Sequence, residues 1–435
     1  MTVLRNISVQ PMGRRVTEVL ASGIESPNSG DSSATTLLQV NGWVIGHAGP
    51  VSTVEAFSAG RRLASASVDL QTPHLAERFG AAGAWATTAG FAMNIETLGL
   101  DPAVDIRIRA MEGATPLARI ATITATRMPI SPAVTPRINR LLVTTIGRTG
   151  STLLMRLLAA HPEIVAFQRD RHEVRAAKYW LHVLAALSTP GPQEKRIGSE
   201  SEFHLEPFVA GIPFLNPGSH PFPESVVWAN TDYRSLLADF VITATEGWYA
   251  QVAAAQEQGS PTFWAEKAFP DQYATLAREV WPTGKEVILV RDFRDMWASM
   301  RSYNALKGRA DFGRSEATSE ESWLTSMGHG AIQLAETATR QAGKAHVVRY
   351  EDLVQHPDIT LTNLLSYLGL ASSPEVIGSM RAAATTERID LVGHVTAGSV
   401  DASIGRWRRD LRNEDLAIAK TVLAQPLAAF GYDPT

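Results

Sequence analysis

One stretch of this chain constrains its fold more than any other: a short apolar run leads through a glycine-containing loop into an amphipathic helix. The run extends from Arg140 to Ile146 (RLLVTTI), the loop carries Gly147 and Gly150, and helical periodicity begins at about Ser151. Backbone N–H groups at a helix N-terminus have no intrahelical partner, and the helix dipole adds positive potential there. This strand–loop–helix unit therefore predicts a binding site for an anion.

The same alternation of an extended run and a helix recurs further along the chain. The run 285–290 (KEVILV) leads into a helical pattern at 295–303, and the run 345–350 (AHVVRY) leads into one at 359–368. Such alternation predicts an α/β fold, with a P-loop-type parallel sheet flanked by helices. Ligands of these sheets bind beyond the carboxyl ends of the strands.

The first third of the chain has a different pattern, with short apolar or alternating runs separated by Gly and Pro. These runs are 37–45, 51–57, 63–68, 91–97, 104–110 and 117–126. Short strands at such spacing predict a small all-β sandwich that precedes the α/β part.

A domain boundary is predicted where the composition changes. No lysine precedes Lys178, and prolines punctuate the chain at Pro129, Pro132 and Pro136; Pro-rich stretches are stiff and extended. The polar, Gly/Ser-rich start of the chain favours flexibility. We therefore divide the chain into a flexible tail at 1–35, a β-sandwich accessory domain at 36–128, a Pro-rich linker at 129–137 and a catalytic domain at 138–435.

Composition excludes several classes of function. The net charge is −4, without the basic excess of proteins that bind nucleic acid. The chain has no Cys, which excludes disulfides, thiolate metal sites and cysteine nucleophiles. Its histidines lack spacings such as H-E-x-x-H, so we expect no metal site. It has neither a secretory signal pattern nor an apolar run long enough for a membrane span, which predicts a cytoplasmic protein.

Hydroxyl and guanidinium donors line the first loop. Thr149, Ser151 and Thr152 would add hydroxyls beside the backbone of Gly150, and Arg148 would add a fixed charge. The Walker pattern of nucleoside triphosphatases requires Lys where this chain has Ser151. The alternative interpretation is a glycine turn, capped by Ser151, that binds no ligand.

A second candidate anion-binding element begins where the run 285–290 ends. Arg291 follows this run directly, and Ser299 lies in the next helical pattern, so both side chains could converge on one phosphate. The alternative is a capped helix with an Arg–Asp surface pair, which contributes little to stability.

Together these two loops resemble those of sulfotransferases that use 3′-phosphoadenosine 5′-phosphosulfate (PAPS). Five ordered patches across about 140–412 carry the resemblance, which is closest to tyrosylprotein, other Golgi-type and bacterial enzymes. The patches are Arg148–Leu158 with His161-Pro162, Glu266-Lys267, Arg291–Ser299, Arg349–Val354 and Gly405–Trp407. The resemblance implies the sulfotransferase fold. The N-terminal β domain resembles β-sandwich modules attached to bacterial glycan-modifying transferases.

The resemblance also implies roles for individual residues. The 5′-phosphosulfate loop falls on Arg148, Thr149, Gly150, Ser151 and Thr152, the 3′-phosphate pair on Arg291 and Ser299, and the active-site lysine on Lys267. Tyr350 lies in a later signature, and Ser403 and Arg406 take the place of a C-terminal Arg-Lys-Gly run that this chain lacks. We expect Lys267 and Arg148 to stabilise the leaving group and the other residues to bind the cofactor.

No family motif marks the catalytic base. Tyrosylprotein enzymes have a Glu where this chain has Arg169. Glu173 is the first candidate and His172 the second, because either side chain could accept the proton of an attacking hydroxyl. The alternative for Glu173 is a solvated residue that pairs with Arg169 or Lys178.

The Pro-rich stretch 188–224 fits neither a helix nor a strand pattern. A loop of this length in a compact domain is usually functional or disordered, so we interpret it either as an acceptor-binding lid or as a loop excursion. His204 and Glu206 within it are further candidates for the base.

The function predicted from these residues is sulfuryl transfer from PAPS to a hydroxyl of an acceptor, a glycan or a small metabolite, without a metal. The alternatives are a P-loop kinase and a non-catalytic glycan-binding protein. A homodimer is left open, and neither a nucleic-acid partner nor a membrane span is expected.

Overall fold

The computed structural model describes residues 2–11, 18–79, 85–113, 115–188, 222–308, 312–313, 319–385 and 401–434. Contacts between Cα atoms divide the chain into two compact units. The first comprises 1–133 with 181–240, and the second comprises 134–180 with 241–435. The chain passes from one unit to the other inside the predicted linker 129–137, and the first unit also takes in residues beyond that linker.

The first unit is built on antiparallel strands. They are β1 (Leu4–Pro11), β2 (Val19–Ser26), β3 (Leu37–Gly46), β4 (Thr53–Ser58), β5 (Arg61–Ser67), β6 (Gly90–Glu96), β7 (Ala103–Glu112) and β8 (Thr115–Arg127). One sheet has the order β1-β8-β7-β4-β5, and the other has the order β2-β3-β6. A short helix, α1 (Pro73–Phe79), and a 3₁₀ turn at Ala86–Thr88 precede β6.

The two sheets share one apolar core. Ile106 and Ile108 of β7 alternate with exposed residues and pack in the same buried cluster as Val40 of β3 and Met93 of β6. Alternation with period two places one face of each sheet inward, as a sandwich requires. The predicted all-β sandwich is therefore confirmed, and all six predicted strands are present.

The first 35 residues differ from the expected flexible tail. They contain β1 and β2, and residues of β1 pair with residues 121–127 of β8. Leu4 and Ile7 are buried, but the register shifts between Arg5 and Ser8, which interrupts the apolar alternation that would have marked the strand. Pairing with a distant strand stabilises this stretch, and local composition carried no sign of it.

The second unit contains a five-stranded parallel sheet. Its strands are β9 (Asn139–Thr144), β10 (Ile164–Val165), β11 (Phe263–Ala268), β12 (Lys285–Val290) and β13 (His346–Arg349). The order is β10-β11-β9-β12-β13, and every neighbouring pair is parallel. The parallel sheet predicted from strand–helix alternation is confirmed.

Helices follow these strands. The helices of the described residues after the sandwich are α2 (Ser151–Ala159), α3 (Ala176–Ser188), α4 (Pro223–Asn230), α5 (Asp232–Ala255), α6 (Gln272–Val280), α7 (Phe293–Lys307), α8 (Glu320–Arg340), α9 (Tyr350–Gln355), α10 (Pro357–Leu368), α11 (Pro374–Thr385), α12 (Trp407–Asp410), α13 (Asn413–Val422) and α14 (Ala424–Ala429). None of them is long and apolar enough to cross a membrane.

Helices cover both faces of the parallel sheet. One buried cluster joins Leu154 of α2 and Leu365 of α10 to Val143 of β9. A second cluster joins Ile288 of β12 to Trp297 of α7. The carboxyl ends of β9, β11 and β12 then lie side by side at one edge of the sheet, which is where ligands bind in such folds.

Candidate active site

The loop between β9 and α2 contains one position, residue 150, whose backbone conformation requires glycine. Gly150 has a φ of +89°, and a Cβ built there would collide with the ring of Tyr350. Arg148 also has a positive φ, +68°. The loop is therefore held in an unusual conformation against an aromatic ring, directly at the N-terminus of α2.

The buried hydroxyls of this loop bond to the protein. Thr149 is fully buried, and its Oγ1 lies 2.6 Å from Oγ1 of Thr145 and donates to the carbonyl of Ile146 at 3.1 Å. The Thr149 side chain therefore stabilises the loop, so a contact with a ligand would have to come from its backbone. Ser151 and Thr152 are half-buried in the first turn of α2.

The second predicted element meets the first loop directly. Arg148 Nε donates to Ser299 Oγ at 3.2 Å, and Arg291 Nη1 donates to the carbonyl of Arg148 at 3.2 Å. The Arg148 guanidinium also lies 4.9 Å from the centre of the Tyr303 ring. Arg291 directly follows β12 and Ser299 lies in α7, so the strand–helix unit places both beside the loop.

Three guanidinium groups lie close together at this junction. Burial lowers the pKa of the Arg148 guanidinium, and the guanidinium groups of Arg291 and Arg406 lower it further. Arg291 Nε is buried without a hydrogen-bond partner among the described residues. A buried donor that lacks an acceptor is costly, so this arrangement favours an anion that would accept from it.

Residues from the C-terminal part of the chain complete the junction. Arg291 Nη2 donates to the carbonyl of Ser403, and the hydroxyls of Ser403 and Tyr350 lie 3.0 Å apart. The Arg291 guanidinium lies 4.7 Å from the centre of the Tyr350 ring. Ser403 and Tyr350, both predicted cofactor residues, are thus brought to Arg291.

Asp295, which sequence analysis did not select, holds the segment around Arg406. Its carboxylate accepts from the backbone N–H of Gly405 at 2.7 Å and of Trp407 at 2.9 Å. Burial raises the pKa of Asp295 to about 6, although both amides and the Arg291 guanidinium act in the opposite direction. Arg406 itself donates from Nη2 to Ser302 Oγ at 2.7 Å.

Lys267 joins the first loop to the segment after β10. It lies in β11 and is only 4% exposed. Its Nζ donates to Thr152 Oγ1 at 3.0 Å, to the carbonyl of Arg171 at 2.8 Å and to Glu173 Oε1 at 2.7 Å. Burial lowers the pKa of Lys267, and the nearby Glu173 carboxylate partly restores it.

Glu173 is paired on both carboxylate oxygens. Oε2 accepts from Arg175 Nη2 at 2.9 Å, while Oε1 accepts from Lys267. Partial burial raises the pKa of Glu173, but the ammonium of Lys267 and the guanidinium of Arg175 outweigh it and hold this pKa below its usual value. The side chain remains 49% exposed, so its carboxylate is accessible and ionised. Neighbouring His172 is buried.

Two connected groups of predicted residues therefore meet at the carboxyl edge of the sheet. The first group is Arg148, Arg291, Ser299, Tyr350 and Ser403, and the second is Thr152, Lys267 and Glu173. Residues 189–221 of the candidate lid, with His204 and Glu206, lie outside the described residues. Among the described residues, no group of three or more His, Asp or Glu could hold a metal ion.

The comparison that decides the family is a match to a family model described as "Sulfotransferase family", over residues 141–374. This range is more than half of the 435-residue chain. The chain belongs to the sulfotransferase family. The family predicted from the sequence motifs is confirmed, and the match includes the first loop, Lys267 and the Arg291–Ser299 element.

Solved sulfotransferase structures resemble this sulfotransferase only remotely. They include the sulfotransferase domain from the curacin biosynthetic pathway (17% identity, TM-score 0.37, 69% of this chain and 99% of that chain). Two others are sulfotransferase STF9 from Mycobacterium avium (14%, 0.36, 69% and 78%) and a sulfotransferase from Alicyclobacillus acidocaldarius (14%, 0.36, 68% and 94%). No curated protein matches the chain.

Proposed function

We propose that this sulfotransferase transfers a sulfuryl group from PAPS to a hydroxyl of a glycan or a small metabolite. The observation that carries the proposal is the junction of the two loops. It combines a helix N-terminus, three guanidinium groups and the buried Nε of Arg291, which has no hydrogen-bond partner in the part of the chain that the structure describes. Such a junction favours a ligand with two separate anionic groups.

The two groups of PAPS fit the two parts of the junction. The 5′-phosphosulfate would lie on the loop from Arg148 to Thr152, where the backbone and the dipole of α2 favour negative charge. The 3′-phosphate would accept from Arg291 and Ser299 and replace the protein carbonyls that Arg291 now binds. Tyr350, Ser403 and Arg406 would close this second part.

Lys267 and Glu173 supply the chemistry of transfer. The hydroxyl oxygen of the acceptor attacks sulfur while the bond from sulfur to the bridging phosphate oxygen breaks, and the hydroxyl proton passes to a Glu173 carboxylate oxygen. Charge grows on the bridging oxygen, and Lys267 lies against both the loop residue Thr152 and the base, so its ammonium can stabilise that oxygen. Arg148 would stabilise the same charge from the loop.

Neither alternative function accounts for the junction as well. A kinase of the P-loop type requires Lys at the position of Ser151. A glycan-binding protein without catalysis gives no reason for an ion pair between a buried lysine and an exposed carboxylate beside an anion loop. A cytoplasmic location stays a prediction from the sequence, and a homodimer stays open.

The proposal is tested by ligand-induced thermal shift followed by product detection. The product nucleotide 3′-phosphoadenosine 5′-phosphate (PAP) should raise Tm, because a ligand that binds only the folded state stabilises it. ATP with Mg²⁺ should not. A screen of hydroxyl acceptors with labelled PAPS, detected by mass, then identifies the sulfated product. An increase in Tm with ATP·Mg²⁺ alone would favour a P-loop kinase instead.

A further inference from the structure

Two consecutive residues of β11 hold opposite ends of one short segment. Lys267 Nζ donates to the carbonyl of Arg171 at 2.8 Å. Glu266 Oε1 accepts from the backbone N–H of Ala177 at 2.8 Å. The segment 171–177, which contains Glu173, is therefore attached at both ends to the same strand.

Glu266 is itself rigidly fixed. It is only 3% exposed, and Oε1 also accepts from Tyr249 Oη at 2.7 Å. Tyr249 is fully buried and stacks on Trp264, with ring centres 5.5 Å apart and planes 8° apart. The carboxylate therefore joins three elements, β11, α5 and the start of α3.

The segment needs such attachment because its backbone is strained. Asp170, Arg171 and His172 have φ values of +48°, +58° and +59° in succession. Residues with side chains rarely adopt this left-handed region, and a run of three persists only where surrounding contacts impose it. Lys267 secures one side of this turn, and Glu266 secures the chain where it enters α3.

We propose that Glu266 is a positioning residue, whose ionised carboxylate anchors the start of α3 and thereby keeps Glu173 within reach of Lys267. This inference rests on the proposed function, because it assigns Glu173 and Lys267 to the reaction. Among the described residues, the hydrogen bonds of Glu266 go to the start of α3 and to Tyr249 rather than to the nucleotide loops. Loss of its charge weakens its bonds to the amide of Ala177 and the hydroxyl of Tyr249, and the base then loses its fixed place.

The electrostatic surroundings of Glu266 make this anchor sensitive to pH near neutrality. Burial raises the pKa of Glu266 to about 7. The amides of Ala177 and Lys178, the Tyr249 hydroxyl and the Arg175 guanidinium all lower it, but burial outweighs them. The anchor is therefore intact above pH 7 and weakens as the pH falls through this value.

Hydrogen exchange measures the anchor without any need for turnover. In the full-length wild-type protein, the protection factors of the Ala177 and Lys178 amides should fall about tenfold between pH 8 and pH 6. In Glu266→Gln, whose side chain cannot ionise, they should not change with pH. Glu246→Gln is the matched control, because Glu246 is also buried and accepts from backbone amides, those of Arg137 and Ile138. It should keep the wild-type dependence.

Steady-state kinetics then connects the anchor to the reaction. Wild-type kcat should fall about tenfold between pH 8 and pH 6, with PAP affinity unchanged. Glu266→Gln should lose this fall in kcat, which is the acidic limb of the pH profile. Tyr249→Phe should move the limb to higher pH, because the Tyr249 hydroxyl stabilises the ionised carboxylate. Histidine side chains also titrate in this range, so His172→Asn is the control. This variant should retain the fall in kcat between pH 8 and pH 6.

The outcomes separate this inference from the proposed function. If Glu266→Gln keeps both the limb and the pH-dependent protection, the inference is wrong, and a limb lost only in His172→Asn would assign it to the imidazole. If the wild type has no sulfotransferase activity, the proposed function fails, while the exchange measurement still decides whether Glu266 anchors α3.

Discussion

Lys267 and Glu173 lie 94 positions apart in the sequence and form an ion pair of 2.7 Å at the carboxyl edge of the parallel sheet. The pair is asymmetric, because the lysine is buried and the glutamate is half exposed. The buried ammonium also contacts Thr152 at the start of α2. One cation therefore connects the candidate base to the loop that would hold the sulfuryl donor.

The first prediction concerns this pair. Glu173→Gln should lower kcat about 10²-fold or more, because the amide cannot accept the proton of the attacking hydroxyl. PAP affinity should be unchanged, since the hydrogen bonds of Glu173 among the described residues go to Lys267 and Arg175 and not to the nucleotide loops. Lys267 and Arg175 hold the pKa of Glu173 below its usual value. Titration of Glu173 should therefore not lower activity at neutral pH.

Glu163→Gln provides the control for this kinetic test. Glu163 immediately precedes β10, at the opposite end of the strand from the site, and its carboxylate accepts from Thr262. Steady-state kinetics with a matched PAP titration should show near wild-type turnover for this variant. Wild-type turnover in Glu173→Gln would mean that the base lies elsewhere.

The second prediction concerns the nucleotide. Arg291→Ala should weaken PAP binding about 10- to 100-fold, since charge-assisted hydrogen bonds contribute about 1.5–3 kcal/mol each. Arg291→Lys should recover only part of this loss, because an ammonium cannot form the paired bonds of a guanidinium. Ser299→Ala should cost less than Arg291→Ala. Calorimetry measures all three.

An exposed arginine serves as the reference in that calorimetric series. Arg381 lies in α11, half exposed, and pairs only with Asp358 among the described residues. Arg381→Ala should bind PAP as the wild type does. If Arg291→Ala does so too, the second loop does not bind the nucleotide.

The third prediction concerns metal ions. Arg148, Lys267 and the N-terminus of α2 should supply the positive charge that Mg²⁺ supplies in kinases. Sulfuryl transfer should therefore survive EDTA, as measured by product formation from labelled PAPS. Activity that EDTA abolishes and Mg²⁺ restores would favour a kinase-like mechanism.

Periodicity predicted most of the fold, because both halves follow simple patterns. The alternation in 104–110 and the strand–helix order around 140–158 were each local signals of burial on one face. Strands β1 and β2 had no such signal, since a bulge and distant pairing define them. The inclusion of 181–240 in the first unit likewise depends on tertiary contacts.

Site residues could be predicted from the sequence where a strand or a loop motif places them at the site. They could not be predicted where their role is to hold a distant segment in position. Lys267 lies near the end of β11, Arg291 directly follows β12, and Arg148 lies in the loop after β9, so motif spacing was sufficient to select them as candidates. Asp295 and Glu266 act through buried hydrogen bonds to backbone amides of distant segments. In the sequence each is only an acidic residue beside a basic one, since Arg294 precedes Asp295 and Lys267 follows Glu266.

The fourth prediction concerns the conformation of the first loop. Gly150→Ala should destabilise the protein by about 2 kcal/mol or more and abolish PAP binding. The left-handed backbone costs a residue with a Cβ about 1–2 kcal/mol, and this Cβ would also collide with Tyr350. Gly247→Ala is the control, because Gly247 lies within α5 with open space around it. It should be neutral or stabilising by up to about 1 kcal/mol in thermal unfolding.

The last prediction concerns Asp295, whose carboxylate holds the segment that carries Ser403 and Arg406. Burial raises its pKa from the ordinary 3.8 to about 6, so the folded protein binds this proton more tightly than the unfolded chain does. Ionisation of Asp295 therefore costs stability, and that cost grows as the pH rises from about 4 to about 6. Asp295→Asn cannot ionise and loses one acceptor, which is a penalty independent of pH. At pH 4 the variant should have a lower free energy of unfolding than the wild type. By pH 7 the difference between the two should shift in favour of the variant by up to about 3 kcal/mol.

Urea unfolding of both proteins across this range measures the difference, with PAP affinity at pH 7 as the second readout. A difference in stability that stays constant with pH would show that Asp295 ionises normally in the folded protein. Weaker PAP binding by the variant would show that the Gly405–Trp407 segment has to be held in place for the nucleotide to bind.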